Sequence, residues 1–220
     1  LYNAFIEMDS VRTKFYKISD FSFINVTTND TLFVRSEFKG GNQAKDIYNL
    51  NLYHTVDKDR NSVVGISKSD ITVKDNLWFI NEKDSTNNQI IFDKTFKNFS
   101  IDNIVMSHEN ESVSLGGDLR GKDYKDLKLK FKDVDLDKIM PDLGKFKIAG
   151  QLNGNVNLRQ DKSVYQPTSA LTIDSLNING SELGKLNLSI RGDENFTKFY
   201  VNSTLENEKV ESFSAIGAFQ

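Results

Sequence analysis

Apolar residues recur along this chain at every second position far more often than at every third or fourth, so the sequence predicts β-strands almost throughout. Phe21 and Phe23, Leu50 and Leu52, Val113 and Leu115, then Leu127, Leu129 and Phe131 each alternate with polar neighbours. The alternation continues through Leu152, Val156 and Leu158, Leu171 and Ile173, Leu186, Leu188 and Ile190, Phe199, Val201 and Leu205, and finally Phe213 and Phe219. Short polar breaks at 39–42, 57–61, 120–123, 179–181 and 191–193 separate these runs, and breaks that brief join antiparallel neighbours in a meander. The wet stretch from Asn81 to Gln89 reads as a hairpin loop.

One segment departs from period two. In Val134-Asp135-Leu136-Asp137-Lys138-Ile139-Met140-Pro141, Leu136, Ile139 and Met140 fall at three- and four-residue spacing. That predicts a helical turn or two, N-capped by Asp135 and stopped before Pro141. So short a helix is unstable alone in water and must lie on the apolar side of the sheet. The expected organisation is therefore groove strands over 1–133, a short helix over 134–143, and strands again over 144–220. In the last part glycine-punctuated pairs of strands repeat about every 20–30 residues, as a sheet growing by stacked units would.

The faces are unequal. Opposite the apolar residues stand Asn153, Asn155 and Asn157, or Asn187, Ser189 and Arg191, which predict a solvated side. With about fourteen strands and almost no helix, the apolar side must be buried against itself, a partner sheet or a ligand. An all-β, extended antiparallel groove, an open trough with one short cap helix, is the expected fold, and a closed sandwich is its rival. The apolar positions from Leu127 to Leu205 named above are the candidate lining, with Leu136, Ile139 and Met140 on the helix.

Charge and composition remove other functions. Lys and Arg number 28 against 31 Asp and Glu, interspersed, which is no nucleic-acid footprint. The longest basic alternation, Lys128, Lys130 and Lys132, sits between Leu127, Leu129 and Phe131 and reads as the wet side of one strand. The absence of cysteine rules out thiolate metal sites and a cysteine nucleophile. His54 and His108 lie in separate strand-like runs. Asp133, Asp135 and Asp137 open like a calcium loop, but Lys138 and Gly144 stand where that loop needs Gly and Glu. Gly150 and Gly154 precede no helix, so they mark bulges or bends rather than a phosphate cradle. Trp78 reads as a core residue. No catalytic constellation, metal site or cofactor is expected, and the chain reads as a non-enzyme.

Two groups of residues carry a resemblance. Asn51-Leu52-Tyr53-His54, Leu77-Trp78-Phe79-Ile80-Asn81-Glu82 and Asn98-Phe99-Ser100-Ile101 resemble the TamB family of translocation and assembly module subunits of the Bacteroidota type. The short helix with Pro141, then Ala149-Gly150-Gln151-Leu152-Asn153-Gly154 and Leu171-Thr172-Ile173-Asp174-Ser175-Leu176, is similar to the cap helix and glycine-punctuated strands of the AsmA-like superfamily. The resemblance runs over nearly the whole chain, in patterns of small and aliphatic residues.

It implies a periplasm-spanning groove that carries phospholipid between the inner and outer membranes and supports outer-membrane protein assembly. The implied partners are phospholipid, a TamA-like outer-membrane β-barrel of the Omp85 type, and the inner membrane through an anchor outside these residues. The chain opens with Leu1 and breaks off at Gln220 inside a strand-like pattern, so it reads as a segment of something longer. Two other classes compete: a structural or adhesive β-sandwich or β-solenoid without a lipid conduit, and a polysaccharide-binding solenoid. The second needs paired acids and aromatic platforms, for which one Trp offers little.

Overall fold

The structure, a computed structural model, describes residues 3–12, 17–41, 45–84, 88–140, 146–193, 195, 197–207 and 210–219, the last stretch by its backbone. It is all-β and antiparallel with one short helix, the expected fold class. The described residues form sixteen strands rather than about fourteen. They divide into two compact units, Leu1–Glu109 and Asn110–Gln220.

Unit 1 contains β1 (Ala4–Arg12), β2 (Lys17–Thr28), β3 (Thr31–Gly40), β4 (Asp46–Val56), β5 (Ser62–Ile66), β6 (Ser69–Val73), β7 (Asn76–Ile80), β8 (Gln89–Phe92) and β9 (Asn98–His108). The first four pair in order. Then β4 splits: Leu52–Val56 pairs β5, while Ile47–Asn49 pairs β6. The two branches run through β8 and β7 respectively and rejoin on β9.

The Asn81–Gln89 hairpin expected from sequence is therefore corrected. β7 and β8 do not pair with each other, because the distant β9 supplies a partner for both. Ser85 and Asn87 of that stretch lie outside the described residues, as does Pro141 at the end of the helix.

Where the sheet splits, backbone groups lose their ladder partners, and buried polar groups without partners are costly. Ser69, Asn81 and Asn88, all buried, fill the junction. Ser69 Oγ accepts from the Asn51 N–H at 2.9 Å, Asn81 Nδ2 donates to the Ile66 carbonyl at 2.7 Å, and Asn88 Oδ1 accepts from the Val105 N–H at 2.7 Å. Trp78, in the β6–β7–β9 branch, is fully buried, as a core residue should be, with its ring 5.3 Å from that of His108.

Unit 2 is a plain meander of β10 (Glu111–Arg120), β11 (Tyr124–Asp135), β12 (Ile148–Asp161), β13 (Val164–Ile178), β14 (Ser181–Gly192), β15 (Phe199–Asn207) and β16 (Val210–Phe219). The helix α1 (Leu136–Ile139) links β11 to β12, with Val134 and Asp135 still in strand. Asp135 caps it by accepting from the Asp137 N–H at 3.0 Å. The ladders shift register between Phe131 and Val134, between Ala149 and Gln151, and between Ile173 and Leu176. Such bulges bend strands and sharpen their twist. Gly150 sits in one of them, as its sequence context suggested. Gly154 serves a different need: at φ +122° it lies so close to β13 that a Cβ would collide with the Ala170 carbonyl.

Asp57, Asp93 and Asp193 each lock a loop through its carboxylate. Asp93 accepts from Thr95 Oγ1 and the Lys97 N–H, both at 3.0 Å, and Asp193 from Thr197 Oγ1 at 2.8 Å. These bonds hold the carboxylate form, chiefly through the Lys97 N–H at Asp93, and carry that group down to about 2. Asp57, held mainly by the Asn61 N–H, and Asp193, held mainly by the Thr197 hydroxyl, are also lowered.

Candidate functional site

In an antiparallel sheet residues directly opposite one another share a face, so register decides what the alternating apolar residues can build. In unit 2 it aligns them in rungs. One runs Val113, Phe131, Gly154, Leu171, Leu188, Ser203, and the next Leu115, Leu129, Val156, Ser169, Ile190, Val201. Toward the helix lies Val134, Leu152, Ile173, Leu186, Leu205, and toward the opposite end Gly117, Leu127, Leu158, Pro167. Phe199 pairs with Gly192 on the same side. All fourteen candidate lining residues thus share one face, and none of these rungs contains a charged side chain.

The face is unevenly covered. Near α1, Val134, Leu136, Leu152 and Leu176 are buried, and Ile139 and Met140 are half-buried. Away from the helix, Leu127, Leu129, Phe131, Val156, Leu171, Ile173, Leu186, Leu188, Ile190, Phe199, Val201 and Leu205 are only half-buried, and Leu158 is exposed. α1 therefore closes one end of an otherwise open apolar surface.

A buried carboxylate holds the helix there. Glu111, 7% exposed and in step with Val113, accepts from the Asp135 N–H at 2.8 Å and pairs with the Lys138 ammonium at 2.5 Å. Sequence reading passed over Glu111 because its partners lie more than twenty residues away.

The opposite face is polar but not simply wet, which refines the expectation. Lys128, Lys130 and Lys132 are exposed. Asn187, however, accepts from Thr172 Oγ1 at 3.2 Å and donates to Thr204 Oγ1 at 3.3 Å, stitching β13, β14 and β15. The small side chains Ala170 and Ser189 beside this ladder leave a shallow hollow of about 260 Å³. Asn153 Oδ1 takes the Asp133 N–H released by the β11 bulge, at 2.8 Å. Arg191 alone of the named trio is exposed, lying over the Tyr200 ring at 5.6 Å.

The end of the apolar face away from α1 carries a second feature missed in sequence. Lys125 pairs in register with Leu119 and Gln160, and Gln160 with Tyr165, so all four stand on the lining side. The signal was available, since Lys125 lies two residues before Leu127. Its ammonium sits 6.0 Å from the centre of the Tyr165 ring. Gln160, buried, donates to the carbonyls of Lys122 at 3.2 Å and Lys162 at 2.8 Å, tying the two turns together.

Unit 1 has an apolar side too, with Phe38 stacked on Tyr48 at 4.5 Å and Phe92 on Phe99 at 5.5 Å. Its other side is also greasy: Ile24, Val26 and Phe33 are exposed there, and Phe5 of the edge strand β1 is 61% exposed. Among the described residues no group of three metal-ligating side chains occurs, and no helix is long and apolar enough to cross a membrane. No family model matches the chain, and no curated protein or solved structure matches it.

Proposed function

We propose that this chain is a segment of a lipid-carrying groove, and that the apolar face of β11–β15 is the surface along which acyl chains lie. One observation carries the reading: register gathers the fourteen apolar positions onto one face whose rungs between Leu127 and Val134 carry no charge, and away from α1 their side chains stay accessible. A core residue of a closed sandwich is sealed, whereas a surface meant for a mobile hydrocarbon stays accessible. Exposing a methylene to water costs about 0.8 kcal/mol, so a 14-carbon chain crossing water unaided faces on the order of 10 kcal/mol. A continuous apolar surface removes most of that cost without any specific polar site.

The resemblance to the TamB family supports the wider reading, in which the segment belongs to a periplasmic bridge of the Gram-negative envelope. The bridge is anchored in the inner membrane, meets a TamA-like barrel of the outer membrane, passes phospholipid between the two and supports outer-membrane protein assembly.

The test separates groove from sandwich. The chain, purified without detergent, is extracted and its lipids identified by mass spectrometry, and the thermal melt of Leu188→Arg is compared with the parent. The groove reading expects co-purified phospholipid, and a variant that stays folded but loses it. An unfolded variant and a lipid-free parent would leave the sandwich.

A further inference from the structure

We propose that the turn end of this face, at Lys125, holds the phosphate of the phospholipid, whose acyl chain runs from there along the strands toward α1. The proposal rests on the lipid reading above and adds a polarity to it.

The two ends of the face are chemically opposite. At the α1 end the charge is a carboxylate, Glu111, already paired with Lys138 and roofed by the helix. At the turn end the charge is Lys125, whose ammonium lies over the Tyr165 ring and has no acidic partner among the described residues. Between them the rungs are uncharged. The first end offers an anionic head group a neutralised ion pair, and the second offers it a cation.

Lys125 is also placed as a head-group ligand needs. Lysine binds phosphate as a point charge on a flexible stem, and its methylenes can cross apolar surface to deliver that charge. Tyr165, 49% exposed, offers an apolar body with a polar tip, as side chains at a lipid–water boundary do. The rim is held in place, because Gln160 ties both turns and the Lys162 N–H donates to the Asp123 carbonyl at 2.6 Å.

Dimensions agree. From Leu158 to Leu152, the stretch of β12 opposite Leu127 to Val134, six residue steps at about 3.3 Å make roughly 20 Å of apolar strand. One leaflet's share of a hydrocarbon core of about 30 Å is roughly 15 Å, so a tail fits with its head at Lys125.

The experiment measures the affinity of the 220-residue chain for two soluble short-chain lipids, dioctanoyl phosphatidylglycerol and phosphate-free dioctanoylglycerol. Lys125→Gln is expected to weaken the phospholipid about tenfold, the loss of roughly one charge-assisted contact, and leave dioctanoylglycerol unchanged. Lys125→Arg should retain binding, and Lys128→Gln on the opposite face should change neither. Millimolar inorganic phosphate should not compete.

Equal loss of both lipids on Lys125→Gln, no loss of either, or displacement by inorganic phosphate overturns the proposal. A parent that binds both lipids equally well keeps the groove and removes the head-group site. A parent that binds neither removes both.

Discussion

The two units use the same element in different ways. In unit 2 consecutive strands from β10 to β16 pair in order, and the fourteen lining residues of β11–β15 share one face that is open away from α1. In unit 1 strands β4 and β9 each serve two branches, apolar side chains occupy both faces, and the interior is sealed around Trp78, Ser69, Asn81 and Asn88. A branched sheet needs fixed joints, whereas a meander can leave a face uncovered because its backbone is already satisfied by simple pairing. Buried residues at the joints hold the structure, whereas the meander leaves most of its apolar lining accessible.

The largest effect should come from the sealed side. Trp78→Ala empties a fully buried site and is expected to cost about 3–5 kcal/mol, lowering the melting temperature by on the order of 10 °C. Leu188→Ala, on the half-open face, should cost less than half as much. Calorimetry on both variants checks this, and equal losses would erase the distinction between the units.

A smaller difference should separate two asparagines. Asn88→Ala strips the acceptor, a buried side chain, from the half-buried Val105 N–H and should cost about 1–3 kcal/mol, as orphaning a sheltered donor does. Asn187→Ala removes two longer bonds on an accessible face, where water can replace them, and should cost under about 1 kcal/mol. Urea titration of the pair would expose any error in the ranking.

The smallest effect concerns acid. Each loop aspartate titrates lower in the folded chain than its ordinary 3.8, so it stabilises the fold above that value and the benefit fades as pH falls toward the folded value, about 2 for Asp93. Among the described residues unit 1 has two such locks and unit 2 has one, Asp193. Asp93→Ala should therefore flatten the dependence of melting temperature on pH between about 4 and 2, and Asp193→Ala should do so less. The same slope in Asp93→Ala as in the parent would show that the lock does not contribute.

What was legible in the sequence follows the same division. The shared face of Leu171 and Ile173 with Leu186, Leu188 and Ile190 was readable because period two fixes a side chain's face and short turns fix its neighbour. The Asp135 cap and the Gly150 bulge were readable because each depends on nearby residues. The branching of β4 was not, since nothing within residues 81–89 says that β7 and β8 both find β9. Nor was the burial of Ser69, Asn81 and Asn88, whose residue types ordinarily mark loops. Bulges at Asp133 and Ser175 replace strict alternation with a skipped residue, which hid the lining-side places of Val134 and Leu176. Glu111 was hidden by distance. Lys125 was visible in the alternation and was overlooked because charged residues were assigned to the wet side.

The central claim is that alternate residues of one strand face hydrocarbon and water. A photoreactive amino acid placed in turn at Leu186, Asn187, Leu188, Ser189 and Ile190, in the protein in living cells, reads this directly. The account predicts phospholipid adducts at 186, 188 and 190 and none at 187 and 189. Adducts to protein alone at the even positions, or lipid captured equally at all five, would contradict it.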